Sequence, residues 1–312
     1  MIRVHKKIRV LDGSFKAELS NVSQDFFDVE RPNWTFDSVI HDPEKVIMVH
    51  KRFIDAGVTD ITTNTYHASV YSLQDQGLDG YELIKVKAVE LLKDTLSTYH
   101  AGSELRVWGA IGSYAVCFRG QAAEYEGVFV DILPPIDIMK VMIAYHQNEI
   151  EAMKAAGVHD LLFETISSVK EADAICEALK SYDDINTVIS FTCRQNSVLL
   201  RHGETLESAL RILLNSKKVH GFGINCTDPG TITTLLESVH DVGEFKEIFV
   251  YPNNGKFELY KSEEEPLKMV LNSIERWVEL GVTVIGGCCG FDAEDIREIS
   301  KKVQNLNICK DS

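Results

Sequence analysis

The sequence contains no run of about 18 apolar residues, the length that a membrane-spanning helix requires. The basic stretch at its start, Met1–Lys7, is not followed by the apolar segment of a secretory signal. We therefore expect a cytoplasmic protein that has no membrane partner.

Positive charge is scarce as well. The 32 Lys and Arg residues stand against 47 Asp and Glu residues, which gives a formal net charge of −15. A phosphate backbone needs a basic surface, so we expect no nucleic-acid partner. The acidic balance is compatible with a cationic or zwitterionic small molecule.

Signs of a disulfide framework or of an interdomain linker are missing. The cysteines number seven, which is odd, and two are adjacent, so reduced thiols in a reducing compartment are favoured. No stretch rich in Pro, Gly or Ser and no low-complexity tract divides the chain. With 45% hydrophobic and 25% charged residues, we expect one globular domain over residues 1–312.

Eight short β-forming runs are present, and each is followed by a helical pattern. Most runs are continuously apolar, which is typical of parallel strands covered by helices. The predicted strands are Ile8–Leu11, Val58–Thr63, Leu105–Ile111, Asp160–Glu164, Thr187–Thr192, Val219–Asn225, Glu247–Tyr251 and Val282–Gly287. The predicted helices cover about residues 43–56, 79–98, 136–156, 169–181, 204–216, 229–240, 264–280 and 293–304, and the longest connections are 13–41 and 112–135.

One joint between helix and strand occurs three times. Gly57, Gly157 and Gly281 each end a predicted helix and precede a valine. Glycine can adopt the left-handed conformation that closes a helix, and valine then opens a strand. Eight such β-then-α units predict an α/β fold, a single (β/α)8 TIM-type barrel. An open doubly wound sheet is the alternative, although no Gly-x-Gly-x-x-Gly follows the first strand.

Three cysteines stand just past predicted strands. Cys226 follows the sixth, and Cys288 and Cys289 follow the eighth within Gly286-Gly287-Cys288-Cys289-Gly290. The active site of a barrel lies at the carboxyl ends of its strands. Three thiolates leave one position of a tetrahedral zinc ion open, where an incoming thiol would lose its proton. We predict that Cys226, Cys288 and Cys289 bind Zn²⁺ and that the site suits alkylation of a substrate sulfur.

Other interpretations of the cysteines stay open. Free cysteine often behaves as a small buried hydrophobic residue. A redox pair made of the two adjacent cysteines would leave Cys226 unexplained. Core packing or a surface position is the interpretation for Cys117, Cys176, Cys193 and Cys309.

A carboxylate and several aromatic residues also stand near strand ends. Glu164 ends an apolar run, where a carboxylate is costly unless it meets a partner. It could capture a substrate ammonium together with Asp12, or form a salt bridge in the barrel mouth, and Asp12 could instead cap its own turn through Gly13. The residues that could offer π faces to a cationic methyl donor, or pack as ordinary aromatics, are Trp34, Tyr66, Trp108 and Tyr251.

Taken in order, these residues resemble the homocysteine S-methyltransferase family, whose members are homocysteine-binding barrels. The match extends over almost the whole chain. No single segment is decisive, whereas the ordered set is highly specific. The segments are Asp12-Gly13, Trp34 nine residues before Pro43, Thr62–Tyr66, Phe163-Glu164-Thr165, Gly223–Cys226, Tyr251-Pro252-Asn253 and Gly286–Gly290.

The resemblance implies a zinc-dependent transfer of a methyl group to homocysteine, which gives methionine. It implies that the three cysteines bind the metal, that Glu164 and Asp12 contact the substrate amine, and that the backbone near Gly13 and Thr65 helps to hold the carboxylate. The predicted homocysteine-binding residues are therefore Asp12, Gly13, Thr65, Glu164, Thr165 and Asn225.

The resemblance constrains the identity of the methyl donor less than it constrains the acceptor and the metal. Family members of similar length tend to use S-methylmethionine or S-adenosylmethionine, whereas betaine-dependent relatives usually carry a longer C-terminal extension. Residues 112–117 depart from the Gly-Pro-Tyr-Gly-type stretch that the family often has, and Phe291 stands where threonine is usual. Both departures lie on the expected donor side, for which the predicted residues are Trp34, Tyr66, Tyr114 and Tyr251.

We expect a sulfonium donor and homocysteine as the small-molecule substrates of a monomer or small homo-oligomer. A betaine-type donor, or selenocysteine or another thiol as the acceptor, is the nearest alternative. A barrel that binds zinc or a thiol metabolite without turnover is an alternative of a different class.

Overall fold

Eight parallel strands form the centre of the molecule. The computed structural model describes residues 7–23, 34–69, 81–99, 105–118, 123–254 and 265–311. The strand order is β1-β8-β7-β6-β5-β4-β3-β2, and a parallel bridge from Leu11 to Asp60 joins the two ends. The strands are β1 (Arg9–Val10), β2 (Asp60–Thr62), β3 (Arg106–Gly112), β4 (Asp160–Ile166), β5 (Asn186–Phe191), β6 (Val219–Asn225), β7 (Glu247–Tyr251) and β8 (Val284–Ile285). The predicted (β/α)8 barrel is confirmed.

Helices connect the strands and cover the barrel. They are α1 (Phe15–Val22), α2 (Trp34–His41), α3 (Pro43–Asp55), α4 (Tyr81–Tyr99), α5 (Ala123–Glu126), α6 (Pro135–Ala155), α7 (Val169–Leu179), α8 (Leu206–Leu214), α9 (Pro229–Ser238), α10 (Pro266–Glu279) and α11 (Ala293–Asp311), with 3₁₀ turns at Tyr114–Cys117 and Val128–Asp131. Within the described ranges, no helix is long and apolar enough to cross a bilayer.

The three predicted glycine joints have the expected backbone. The φ angles of Gly57, Gly157 and Gly281 are +87°, +72° and +101°. This left-handed conformation is open to glycine at little cost, and each helix ends there. The joints hold three helices at the amino ends of β2, β4 and β8, so the carboxyl ends of those strands point to the opposite face.

Two layers of buried side chains stabilise the barrel. The larger lies between the strands and the surrounding helices, and the smaller is made of residues such as Leu11, Trp108, Leu162 and Phe249. Cys288 packs against the smaller cluster. The cysteines therefore lie next to a solid apolar support.

Candidate metal and substrate site

Three cysteine sulfur atoms converge at the carboxyl ends of β6 and β8. Their Sγ atoms all lie within 4.8 Å of one another. The Sγ atoms of Cys226 and Cys289 are 3.6 Å apart, whereas those of Cys226 and Cys288 are joined as a disulfide, with 5.5 Å between the two Cα atoms. The sequence predicts reduced thiols here. The structure pairs two of them, because both sulfur atoms occupy the same small volume.

Unusual backbone conformations bring these groups together. Cys226 has a φ of +44°, and Thr165, at the end of β4, has a φ of +62°. Residues other than glycine rarely adopt such angles, and those that do concentrate at functional sites. The turn after β8 is held by Asn254, whose backbone N–H donates to the carbonyl of Cys289 over 2.9 Å, and Gly290 closes the turn with a φ of +83°.

The donor set fits a metal ion. Sulfur atoms bound to one tetrahedral zinc at about 2.3 Å lie about 3.8 Å apart. The 3.6 Å between Cys226 and Cys289 is close to that distance, and reduction of the disulfide would free Cys288 as a third ligand. Three thiolates suit a borderline-soft cation and leave one tetrahedral position for a substrate atom.

A carboxylate pair belongs to the same site. Asp12 follows β1, and its carbonyl accepts the N–H of Gly287, next to Cys288. Its carboxylate accepts the N–H of Thr62 over 2.8 Å and the Thr62 hydroxyl over 3.0 Å. Burial raises the pKa of Asp12 to about 7. Burial, and then the charge of Asp12, raises the pKa of Glu164 to about 8. Such a pair is poised to hold a cation.

Asn225 joins the carboxylate side to the sulfur side. Its Oδ1 accepts the N–H of Thr165 over 3.0 Å, and its Nδ2 lies 3.8 Å from the Sγ of Cys288. Ser190, which the sequence analysis missed, donates its hydroxyl to the same Oδ1 over 2.8 Å. Ser190 stands between Ile189 and Phe191 near the carboxyl end of β5, and a buried hydroxyl at a strand end is the signal that could have identified it.

The other two predicted homocysteine-binding residues make contacts within the protein. The Thr65 hydroxyl donates to the carbonyl of Ala110 over 2.7 Å, and its backbone N–H donates to the carbonyl of Thr63 over 2.9 Å. Gly13 lies so close to Phe291 that a Cβ at position 13 would be 2.6 Å from the Phe291 carbonyl oxygen. Gly13 directly follows Asp12, and Thr65 stands shortly after β2. Direct contact of either residue with the substrate stays a prediction.

The predicted donor-side aromatics differ in environment. Tyr251 is buried at the end of β7, where burial and the Glu164 carboxylate raise its pKa well above the usual value. Tyr66 is half-buried and packs edge-on against His67, with 4.7 Å between ring centroids. Tyr114 packs edge-on against Phe118. The side chain of Trp34 lies outside the described residues.

The two sequence departures have different structural settings. Ser113 and the N–H of Tyr114 both donate to the carboxylate of Glu171, over 2.8 and 2.5 Å, which anchors the segment 113–117 on α7. Phe291 is fully buried in the larger core. A Cβ added to Gly287 would lie 2.4 Å from the Cβ of Phe291. The Phe291 ring therefore supports the turn that carries Cys288, and its nearness to the donor stays a prediction.

Tyr125 is a second residue that the sequence analysis missed. Its hydroxyl lies 3.8 Å from the Sγ of Cys289, and the guanidinium of Arg201 lies 5.3 Å from its ring centroid. Tyr125 belongs to the short helix α5 inside a long connection, and no periodic pattern predicts its position.

Three further cysteines whose side chains the structure describes lie outside the site. Cys176 and Cys193 are buried, and Cys117 is half-buried with its Sγ 3.8 Å from the Ser69 hydroxyl. Burial raises the pKa of each of these thiols to about 12. They are packing residues, as the sequence indicates. The side chain of Cys309 lies outside the described residues.

Comparison with known proteins gives a consistent result over the whole chain. The profile of the homocysteine S-methyltransferase family matches residues 9–303. A betaine-homocysteine S-methyltransferase from Drosophila melanogaster is 32% identical, and the alignment covers 97% of this chain and 96% of that protein. A selenocysteine Se-methyltransferase from Brassica oleracea var. italica is 26% identical, with 94% and 88% covered.

Solved structures agree with these sequence relatives. The homocysteine methyltransferase MmuM from Escherichia coli, in its metallated form, superimposes with a TM-score of 0.81 at 26% identity, covering 95% of this chain and 96% of that one. The oxidised form of the same protein gives a TM-score of 0.82. The cysteine cluster at the strand ends thus lies on a fold that is similar to that of a metal-containing methyltransferase.

Proposed function

Since the chain belongs to the homocysteine S-methyltransferase family and is an enzyme of that family, we propose that it is zinc-dependent and transfers a methyl group from a sulfonium donor, S-methylmethionine or S-adenosylmethionine, to the thiol of homocysteine, forming methionine. The observation that carries the proposal is the convergence of Cys226, Cys288 and Cys289 within 4.8 Å. Asn225, which adjoins Cys226 and approaches both Cys288 and Thr165, connects that cluster to Glu164.

The acceptor fits the two halves of the site. Homocysteine carries an ammonium group and a thiol at opposite ends. Glu164 and Asp12 would bind the ammonium, whose positive charge offsets the cost of ionising the buried Asp12 and the half-buried Glu164. When bound to the three cysteines, zinc would favour the thiolate form of the substrate sulfur. The thiol proton leaves to solvent before methyl transfer.

Methyl transfer needs alignment more than further acid or base chemistry. The electron pair of the acceptor sulfur forms the new S–CH₃ bond, while the donor's C–S bond breaks and its electron pair stays on the departing sulfur. The sulfonium thereby becomes a neutral thioether. The contribution of the chain is to hold the two sulfur atoms in line with the methyl carbon and to keep water out.

Betaine is a second candidate donor, and one finding favours it. The Drosophila relative named for betaine is 32% identical, and this chain covers 96% of its length. The expectation that a longer C-terminal extension marks betaine-dependent relatives is therefore wrong for this relative, and length does not separate the two donor classes. The Brassica relative makes a selenol the alternative acceptor.

Metal analysis tests the core of the proposal. The reduced, untagged protein should contain about one zinc per chain, the stoichiometry of a single tetrahedral site. A Cys226→Ser variant should lose metal and turnover together, whereas Cys176→Ala, on α7 and outside the site, should keep both. Full activity in the metal-free enzyme would contradict zinc dependence.

A donor panel identifies the substrates. Homocysteine would be incubated with S-methylmethionine, S-adenosylmethionine or betaine, and methionine would be measured by mass spectrometry. Methionine formed from a sulfonium donor supports the proposal. Methionine formed only from betaine would show that betaine, and not a sulfonium compound, is the donor. Binding of homocysteine without methionine from any donor would favour the non-catalytic alternative.

A further inference from the structure

We propose that Asn225 is a positioning residue whose side-chain amide orients the Cys288 sulfur for metal binding and fixes that sulfur relative to the strand end that carries Glu164. Its partners come from three other strand ends, those of β4, β5 and β8. This role differs from the direct substrate contact that the sequence predicts.

The amide of Asn225 is fully engaged. Oδ1 accepts the N–H of Thr165 over 3.0 Å and the hydroxyl of Ser190 over 2.8 Å. Nδ2 donates to the Thr165 hydroxyl oxygen over 2.8 Å and approaches the Cys288 Sγ at 3.8 Å. A side-chain amide has two donors and two acceptor lone pairs, so these four contacts use its whole capacity. Asn225 is also completely buried.

The surrounding backbone is built to accommodate this arrangement. Thr165 keeps a φ of +62°, and the two contacts with Asn225 stabilise that conformation directly after Glu164. On β6, a Cβ at Gly223 would lie 2.6 Å from the Ser190 hydroxyl oxygen. Glycine at that position therefore makes room for the hydroxyl that holds the far side of the amide.

Once the disulfide is reduced, the N–H of Asn225 would face the Cys288 thiolate and support that sulfur in its role as a metal ligand. It fixes the orientation of the side chain and stabilises negative charge on sulfur. Partners of this kind typically change metal affinity about 10- to 100-fold when they are removed. The inference rests on the proposed function only in assuming that the three thiols bind a metal.

The test compares Asn225→Asp with Ser190→Ala in the reduced, metal-free protein. Aspartate keeps oxygen acceptors for Thr165 and Ser190, and the Thr165 hydroxyl can turn to donate to the new oxygen. The contact with the Thr165 hydroxyl is kept with its direction reversed, whereas the contact with sulfur changes from an N–H donor to a carboxylate oxygen. Ser190→Ala removes a bond to the same amide without changing the atom that faces the sulfur.

Titration with Co²⁺, followed by thiolate-to-cobalt absorption, measures binding without either substrate. We expect the Kd for Co²⁺ to rise about 10- to 100-fold in Asn225→Asp, with a shifted absorption band, and about twofold or less in Ser190→Ala. Thermal unfolding of the metal-free variants reports any general loss of structure. Asn225→Ala, which is smaller and neutral, serves if the aspartate variant does not fold, and it too should weaken Co²⁺ binding.

The outcomes separate this inference from the proposed function. Wild-type affinity and spectrum in Asn225→Asp would overturn the positioning role alone. Failure of both Asn225 variants to fold would also overturn it, since the residue would then be purely structural. Absence of Co²⁺ binding by the reduced wild-type protein would refute the metal site itself and, with it, both proposals.

Discussion

Two carboxylates in one barrel mouth set the electrostatics of the site. The ordinary pKa values of Asp12 and Glu164, 3.8 and 4.5, are raised to about 7 and about 8. Burial is the largest cause for both. Between the ordinary and the raised values, the folded protein holds protons that the unfolded chain releases, so stability falls as pH rises through that window. The substrate-free site therefore lowers stability near pH 8, and a bound ammonium would relieve this.

The variant Glu164→Gln tests whether this carboxylate lowers the stability of the substrate-free protein and also binds the substrate ammonium. It removes one carboxylate, so we expect the KM for homocysteine to rise at least about 30-fold, the loss typical of one partner of a buried charge pair. At pH 8.5 the melting temperature of the substrate-free variant should exceed that of wild type by about 2–4 °C. At pH 4.5, where wild-type Glu164 is protonated, this gain should vanish.

The control for Glu164→Gln is Glu298→Gln, which changes a half-exposed carboxylate paired with Lys301 on α11. It should leave the KM and the pH dependence of melting unchanged. A wild-type KM in Glu164→Gln, measured by steady-state kinetics, would exclude Glu164 from ammonium binding.

At the same scale, the sequence reveals residues that have a strong local signal. Adjacent cysteines between glycines just after a β-forming run stand out, and so does a carboxylate that ends an apolar strand. Ser190 and Tyr125 act through contacts with residues 35 and 164 positions away. No local pattern encodes such pairings. Nor does the sequence motif around Phe291 specify that its side chain is buried in the core.

The strands also differ in how well local pattern predicts them. The predicted bounds of β6 and β7 coincide with the observed ones, whereas β1 and β8 have two residues each. Their chains leave the sheet early, because Asp12 and the turn after Ile285 depart to build the site. Helices α1 and α2, of eight residues each, fall within a connection in the prediction. Segments that short give no reliable 3.6-residue period.

The amino ends of the strands are closed by charged side chains. Arg106, which begins β3, donates Nε and Nη2 to Asp160 over 2.7 and 2.9 Å and Nη1 to Glu247 over 2.7 Å. Its guanidinium lies 4.2 Å from the Trp108 ring centroid. Arg9 bridges Asp60 and Glu247 beside it. This network lies at the end of the barrel opposite to the cysteines.

We expect Arg106→Leu to separate stability from activity. The change leaves Asp160 and Glu247 without their main partner, and a loss of about 2 kcal/mol in the free energy of unfolding is expected for partly buried pairs. Urea unfolding measures this loss. The kcat and metal content should stay at wild-type values, because the site lies at the other end of the strands.

Arg276→Leu is the matched control for Arg106→Leu. Its ion pairs with Glu237 and Glu279 are about half exposed and screened by solvent, so the loss should be much smaller than in Arg106→Leu. Equal losses in the two variants would show that the network at the strand starts has no special role in stability.

Over the whole molecule, the buried His50 and the half-buried His67 oppose the carboxylate pair. Burial lowers the pKa of His50 and of His67 from 6.5 to about 4. The unfolded chain takes up these protons below pH 6.5 and the folded one does not, so stability is lost as pH falls from 6.5 towards 4. Asp12 and Glu164 act in the opposite direction up to about pH 8. Between about pH 4.5 and 6.5 the two histidines and the two carboxylates therefore nearly cancel, and above pH 6.5 the carboxylates alone make the stability of the substrate-free protein fall.

His50 is the residue through which this balance can be tested. It lies on α3, fully buried, with its ring centroid 5.5 Å from that of Phe15, and neither ring nitrogen has a hydrogen-bond partner among the described residues. His50→Leu replaces two unsatisfied polar atoms with an apolar side chain, so its stability at pH 7.5 should equal or exceed that of wild type. Between pH 6 and 4.5 the pH dependence of its free energy of unfolding should lack the His50 contribution, a loss of up to about 1.4 kcal/mol for each unit by which pH falls. Urea unfolding at pH 7.5, 6.0 and 5.0 gives the slopes, with the exposed His240→Gln as the control that should follow wild type. If the free energy of unfolding of His50→Leu changed with pH as in wild type, the His50 ring would take up its proton equally well in the folded and unfolded protein. Any loss of stability in acid would then have to arise from other groups.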